Sequence, residues 1–167
     1  MSWDLADNTR SSFVLHPERP RLLLVGADAG IAATIALAES LRGTTTSSAG
    51  WKPLVLLGSD QPFPFRPRPS SIIVAGIPPE VIACMPLLEE WGVPCRLASH
   101  SGLPGCFDGP VTALADVWLA SLGADELGEA ELFACGPEAL VEATRGIAAH
   151  YAIAHQAAQN ALPARNS

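Results

Sequence analysis

Short, unbroken apolar runs recur along this chain and constrain its fold more than any other feature. Three of them are LLLV (22–25), LVLL (54–57) and LFA (132–134), and none alternates with polar residues. A strand with one face in water alternates apolar and polar side chains, so continuous runs indicate strands that are buried on both faces. We predict a parallel sheet with at least the strands Leu22–Val25, Leu54–Leu57, Arg96–Ala98 and Leu132–Ala134.

Segments with apolar residues at helical spacing lie between these runs. They predict helices over 30–42, 111–122 and 137–150. We also expect a strand over 72–76 and a helix over 78–91 that Pro86 kinks or splits. Four prolines in 59–71 exclude a helix interior or a central strand there. The alternation predicts an α/β fold, a doubly wound parallel sheet with helices on both faces.

Length and composition limit the organisation of the chain. Its 167 residues fit one domain, and 49% hydrophobic with 16% charged residues excludes an intrinsically disordered chain. We expect an arm or interdomain linker over 1–20, the domain over 21–156 and a flexible tail over 157–167. The net charge of −7 argues against nucleic acid or an anionic membrane as a partner, because both carry dense negative charge.

Targeting and metal signals are weak. The apolar stretches 21–38 and 72–88 are interrupted by Asp28 and by three prolines, so neither fits a membrane span. The first residues lack the basic and apolar regions of a secretory signal. The four cysteines form no C-x-x-C pair, which favours reduced thiols and a cytoplasmic location. The four histidines show no metal-ligand spacing, and we expect no metal site.

The first strand–helix junction, LLLVG-ADAG-IAATIALAESL, is a candidate anion site. A helix N-terminus offers unpaired N–H groups and the positive end of the helix dipole. Gly26 and Gly30 would allow a phosphate to approach the backbone closely. The alternative is that Gly26 only ends a strand and Gly30 only opens a helix.

A second junction favours the nucleotide interpretation. FACGPEALVEATRGIA (133–148) joins an apolar strand to Cys-Gly-Pro and a helix, and it resembles the nicotinamide-side signature of the ferredoxin–NADP reductase superfamily. The first junction resembles that superfamily's GGGIGIAPL turn, with departures at 27, 28 and 33. The segment SGLPGCFDGPVT (101–112) resembles its D-G-S-x-G-x-x-G-x-V-T loop, with one extra residue. The resemblance covers about 20–151 and is nearest to electron-transfer subunits of dihydroorotate dehydrogenase and similar flavin reductases.

This resemblance implies a Rossmann-like domain that binds NAD(P)H and presents the nicotinamide to a flavin. Cys135 would lie beside the nicotinamide C4 and help to position hydride transfer; the alternative is a small buried thiol at the end of a strand. NAD(H) is favoured over NADP(H), because Asp60 stands where the NADP-selecting pattern has Arg, although Arg66 and Arg68 could reach a 2′-phosphate or serve docking to another domain. The cofactor-binding residues that it implies are Gly26, Asp28, Gly30, Ile31, Ala32, Gly58, Ser59, Asp60, Gly136, Pro137 and Glu138.

The resemblance also implies a partner. Relatives carry a flavin-binding barrel before this domain, and the dihydroorotate subunits carry four cysteines for a 2Fe–2S cluster after it. We expect FAD or FMN only on a partner domain or chain, no iron–sulfur cluster in this chain, and no turnover by the chain alone. The alternative function is a non-catalytic interaction or regulatory module with a degenerate nucleotide site.

Asp28 is the main reason for keeping that alternative. It occupies a position where relatives have glycine, and its carboxylate would repel a pyrophosphate by several kcal/mol at ~4 Å in a partly desolvated turn. If Asp28 points to solvent or caps the helix, the junction is a stable turn with little affinity for dinucleotide.

Overall fold

A six-stranded, all-parallel sheet forms the centre of the protein. The computed structural model describes residues 13–43 and 50–159. In chain order the strands are β1 (Arg21–Ala27), β2 (Lys52–Ser59), β3 (Arg68–Pro69), β4 (Ala83–Cys84), β5 (Cys95–Ser99), β6 (Phe107–Asp108), β7 (Ala130–Gly136) and β8 (Ala154–Gln159). The sheet has the order β6-β5-β2-β1-β7-β8, whereas β3 and β4 form a separate antiparallel pair.

Helices cover both faces of the sheet. They are α1 (Ile31–Gly43), α2 (Pro86–Glu90), α3 (Val111–Ala120), α4 (Ala124–Gly128) and α5 (Glu138–Tyr151), and a 3₁₀ turn over Asp28–Gly30 precedes α1. Leu22 and Leu24 of β1 face the layer that contains α1 and α2. Leu23 and Val25 face the layer that contains α3 and α5. No helix within 13–43 and 50–159 is both long and apolar enough to cross a membrane.

The predicted parallel sheet is confirmed. β1 pairs in parallel with β2 on one side and with β7 on the other, and β2 pairs in parallel with β5. The apolar runs explain this arrangement, since Leu23 and Leu24 both have 0% exposure although they point to opposite faces. A strand can bury both faces only when helices cover both, as in a doubly wound fold.

The segment between β2 and β5 differs from the sequence prediction. Residues 72–76 are a loop and turn rather than a strand, and the predicted helix over 78–91 is reduced to α2. The Arg96 side chain donates to the carbonyl oxygens of Ile72 and Val81, so backbone groups of this segment are satisfied by a side chain rather than by a ladder. Pro86 begins α2 at a first-turn position, where its missing N–H leaves no bond unmade.

Within the described residues, both ends of the chain pack onto the sheet. Phe13 and Leu15 are buried, and the Phe13 ring packs edge-on against Phe133 with 5.3 Å between centroids. At the other end, β8 pairs with β7 through Gln159, so the predicted boundary at 156 falls inside a strand. The Gln156 amide ties the two ends together by bonding the Val14 N–H and C=O. Residues 1–12, 44–49 and 160–167 lie outside the described part.

Candidate functional site

A cleft of about 230 Å³ lies at the carboxyl edge of the sheet. From β1 the chain proceeds to β2, β5 and β6 on one side, and then crosses back to β7 on the other side of β1. In open α/β sheets ligands bind at such a reversal of strand order, because the flanking loops diverge there and leave a crevice. We call this crevice the edge cleft. It is lined by Ala27, Asp28, Gly58, Ser59, Asp60, Ala98, His100, Gly109, Pro110, Val111, Thr112, Pro137, Ala139, Leu140 and Ala143.

Five of the predicted site residues line the edge cleft: Asp28, Gly58, Ser59, Asp60 and Pro137. They come from three loops that are far apart in sequence and meet because β1, β2 and β7 are parallel neighbours. The other predicted residues do not line it, and they are Gly26, Gly30, Ile31, Ala32, Cys135, Gly136 and Glu138.

His100 and Thr112 line the edge cleft but are absent from the predicted site. His100 follows β5 directly and Thr112 lies in the first turn of α3. The signal for His100 was its position after a predicted parallel strand, since all such positions share one edge of the sheet. The signal for Thr112 was its place in the segment 101–112, whose sequence resembles a loop of that superfamily.

The glycines of the predicted site are required by packing inside the protein. A Cβ on Gly26 would overlap the Thr34 side chain, and a Cβ on Gly30 would overlap the Cys135 carbonyl. A Cβ on Gly58 would lie 2.6 Å from the Val111 Cβ. Protein atoms therefore occupy the space that these glycines leave, and the packing alternative accounts for Gly26 and Gly30 without a ligand.

Asp28 adopts a backbone conformation that favours glycine. Its φ is +54°, in the left-handed region that Asp tolerates better than most residues. Its side chain is exposed, and its Oδ1 accepts a long hydrogen bond of 3.4 Å from the Ser59 hydroxyl. The carboxylate therefore points across to the end of β2 rather than capping the helix.

A second carboxylate lies on the same side of the edge cleft. Asp60 Oδ1 is 3.8 Å from His100 Nε2, and both side chains are exposed. An exposed pair at this distance contributes little to stability, so both groups remain available to a ligand. Asp28 and Asp60 give this side of the cleft acidic character and a set of hydrogen-bond acceptors.

Two helix N-termini without side-chain caps also line the edge cleft. Pro110 and Pro137 are the N-cap residues of α3 and α5, and no side-chain bond caps either helix. The first N–H groups that bond back are those of Ala113 and Leu140. The N–H groups of Val111 and Thr112, and of Glu138 and Ala139, therefore lack helical acceptors and carry the positive ends of two helix dipoles.

Cys135 lies away from the edge cleft. Its side chain belongs to the buried cluster on the α1 face and has 2% exposure, whereas the cleft opens beside the α3 and α5 face. Burial raises the pKa of the Cys135 thiol to about 11, although a hydrogen bond with Thr34 opposes the increase. The thiol is thus protonated at neutral pH, and its predicted positioning role stays a prediction.

No group of three or more His, Cys, Asp or Glu side chains in the described ranges could hold a metal ion. The residues that face the edge cleft instead offer hydroxyls, two carboxylates and free backbone N–H groups. This set suits a polar organic ligand with hydroxyl and anionic groups. Comparison of the chain with protein-family models, curated proteins and solved structures gives no match.

Proposed function

We propose that this chain is the NAD(H)-binding component of a flavin-dependent electron-transfer oxidoreductase. In this role it presents the nicotinamide for hydride transfer to FAD or FMN on a partner domain or chain. One observation carries the proposal: two uncapped helix N-termini and the acidic end of β2 line one cleft where the strand order reverses. A dinucleotide requires this combination, since its phosphates need donors and its ribose hydroxyls need acceptors.

The groups of the edge cleft divide naturally between those two needs. At the end of β2, the Asp60 carboxylate would accept hydrogen bonds from a ribose diol, and the Ser59 hydroxyl would donate to it. The N–H groups that open α3 and α5 would donate to phosphate oxygens. The cleft is below the usual volume of ~300–1,000 Å³ for a drug-sized ligand, so it would hold one part of the dinucleotide.

The charges of the cleft support NAD(H) over NADP(H). Asp28 and Asp60 would repel a 2′-phosphate placed at the end of β2. Arg66 and Arg68 do not line the edge cleft, so neither guanidinium offsets that repulsion. When bound, NADH supplies the hydride and the partner's flavin accepts it. The chain itself binds and orients the nucleotide.

The same carboxylates support a second candidate, a non-catalytic interaction or regulatory module with a degenerate nucleotide site. Asp28 and Asp60 would oppose any phosphate within reach, and the packing of Gly26 and Gly30 explains their presence without a ligand. The balance between repulsion by two exposed carboxylates and attraction by two helix N-termini decides between the candidates.

Calorimetric titration of the purified chain with NADH, NADPH and AMP tests this balance. The proposal expects saturable NADH binding near micromolar Kd, with NADPH weaker. Amide NMR shifts should be confined to residues of the edge cleft, such as Ser59, Thr112 and Ala139. No heat and no shifts at millimolar nucleotide would contradict the proposal and support the second candidate. Binding with shifts elsewhere would reject the edge cleft as the site.

A further inference from the structure

Arg96 is a buried cation in β5 without an acidic partner among the described residues. Its side chain has 5% exposure, and no carboxylate oxygen lies within 4 Å of its guanidinium. Its Nε donates to the Val81 carbonyl at 3.0 Å and its Nη1 to the Cys95 carbonyl at 2.7 Å, while its Nη2 donates to the Ile72 carbonyl. The positive charge is therefore balanced only by neutral oxygens.

A cavity of about 300 Å³ adjoins this guanidinium, and we call it the Arg96 cavity. Ile72 and Val81, whose carbonyls hold two of the guanidinium nitrogens, both form its wall. Ile73, Ile77 and Ile82 supply apolar parts of the remaining wall, and polar groups, including those of Ser70 and Ser71, make up about half of its surface. A pocket that combines apolar side chains with a few fixed polar groups and one charged group is typical of a small-molecule site. The Arg96 cavity shares no lining residue with the edge cleft.

The loop contacts of Arg96 leave part of its bonding capacity unused. A guanidinium carries five N–H groups, and three are engaged, which leaves one on each terminal nitrogen. Glu89 does not line the cavity, but its carboxylate contacts Ser70 and Ser71, which do. It accepts hydrogen bonds from both serine hydroxyls and from the Ser71 N–H, at 2.7–2.9 Å, and one from the Cys84 thiol at 3.5 Å. Its charge is thus engaged by its own donors.

We propose that the Arg96 cavity binds a small monocarboxylate with an apolar body. The carboxylate would accept hydrogen bonds from the Arg96 guanidinium, whose planar geometry matches a carboxylate and whose buried charge would gain a counter-ion. The isoleucine side chains would contact the apolar body. Charge would thus select an organic acid over its neutral analogue of the same shape.

Matched pairs of probes test the charge requirement. Hexanoate and benzoate are titrated into the full chain beside hexanamide and benzamide, with affinity measured by calorimetry. We expect at least one acid to bind at least tenfold more tightly than its amide, equivalent to ~1.4 kcal/mol. The Arg96 side-chain Nε–H resonance should shift with the acid. Equal affinity of acid and amide, no binding at millimolar acid, or an unmoved resonance would overturn the proposal.

Matched variants test the location. Ile82→Trp places a bulky ring at the cavity wall, where Ile82 is 42% exposed, so we expect the acid to bind at least tenfold more weakly. Val117→Trp makes the same kind of change on α3, at a 37% exposed residue outside the cavity, and should leave binding unchanged. Circular dichroism checks that both variants fold. Wild-type affinity in folded Ile82→Trp would overturn the assignment to this cavity.

Discussion

Two connections in this protein join a strand to the next element by different means. The β1–α1 connection is the 3₁₀ turn Asp28–Gly30, whose Gly30 carbonyl accepts a bond from Thr34, four residues along the chain. The β2–β5 connection spans 60–94, and side chains from distant positions, Arg96 and Glu89, hold its backbone. Local sequence patterns predicted the first connection and failed for the second, because only the first is held by groups close in sequence.

The largest effect is expected from removing the Arg96 side chain, whose hydrogen bonds hold the backbone of the β2–β5 connection. Arg96→Met keeps an apolar stem but leaves three backbone carbonyls without their donor, so we expect the free energy of unfolding to fall by about 3 kcal/mol or more. Urea denaturation measures it. The control is Arg145→Met on α5, an exposed arginine paired with Glu142, which should change stability by less than ~0.5 kcal/mol. A loss below ~1 kcal/mol for Arg96→Met would contradict this structural role of Arg96.

A smaller loss of stability is expected from adding a side chain in the β1–α1 connection. Gly30→Ala drives a Cβ into the Cys135 carbonyl, and the backbone must shift, so we expect destabilisation of ~1–3 kcal/mol. Gly146→Ala is the matched control, because Gly146 lies within α5 with no atom within 4 Å of an added Cβ. That variant should gain ~0.5–1 kcal/mol in stability. Thermal or urea denaturation compares the two, and a neutral Gly30→Ala would show that the turn is not tightly packed on β7.

Asp28, in the β1–α1 connection, should influence nucleotide binding more than stability. Asp28→Gly removes a carboxylate and suits the left-handed φ, so we expect NADH to bind at least tenfold more tightly, ~1.4 kcal/mol. Titrations of wild type and variant at low and high salt measure this gap, which should narrow at high salt if charge is responsible.

Asp28→Asn separates the two causes of that gain. It removes the charge and keeps a residue that tolerates left-handed φ. If charge alone opposes binding, both variants gain equally, whereas a gain only in Asp28→Gly would assign the effect to backbone approach. Unchanged affinity in both variants would show that the carboxylate does not face the phosphates.

The smallest expected effect is on the pH dependence of stability, through Glu89 in the β2–β5 connection. Burial of Glu89 opposes its ionisation, but hydrogen bonds from Ser70, Ser71 and Cys84 outweigh burial and lower the pKa of this carboxyl from 4.5 to about 2. Glu89 therefore stabilises the fold fully above pH 4.5, and this contribution is lost as the pH falls towards 2. Urea denaturation across this range should show a flatter pH dependence for Glu89→Gln than for wild type. The exposed Glu142→Gln serves as control, and parallel curves would contradict the prediction.

Particular residues explain how much the sequence could predict. The runs at 22–25, 54–57 and 132–134 identify strands because burial on both faces needs apolar residues at every position. Strand β8 was missed because its sequence AHQAAQ is mostly small and polar, and its stability depends on Gln156 meeting Val14, which is remote in sequence. Residues 72–76 have strand-like composition, but the Ile72 carbonyl accepts a hydrogen bond from the Arg96 guanidinium instead of from a neighbouring strand.

The candidate site was predicted only in part for a similar reason. Positions just after parallel strands converge by topology, so Asp28, Ser59 and Asp60 could be placed together. The Cys-Gly-Pro motif did not reveal that the Cys135 side chain lies outside the cleft. Strand alternation puts Cys135 on the same face of the sheet as Phe133. His100 is exposed and has no local pattern, so only its place after β5 connects it with the site.

The central position of β1 has a consequence for how the protein folds. Leu23 pairs with Leu132 across roughly a hundred residues of chain, and non-local pairings of this kind slow folding because the intervening loop must close first. The β1–β7 border beside the edge cleft is complete only when β7, far along the chain, has joined the sheet. A nucleotide that bound only the completed fold would stabilise the native state and not the transition state, so it would slow unfolding and leave the folding rate almost unchanged.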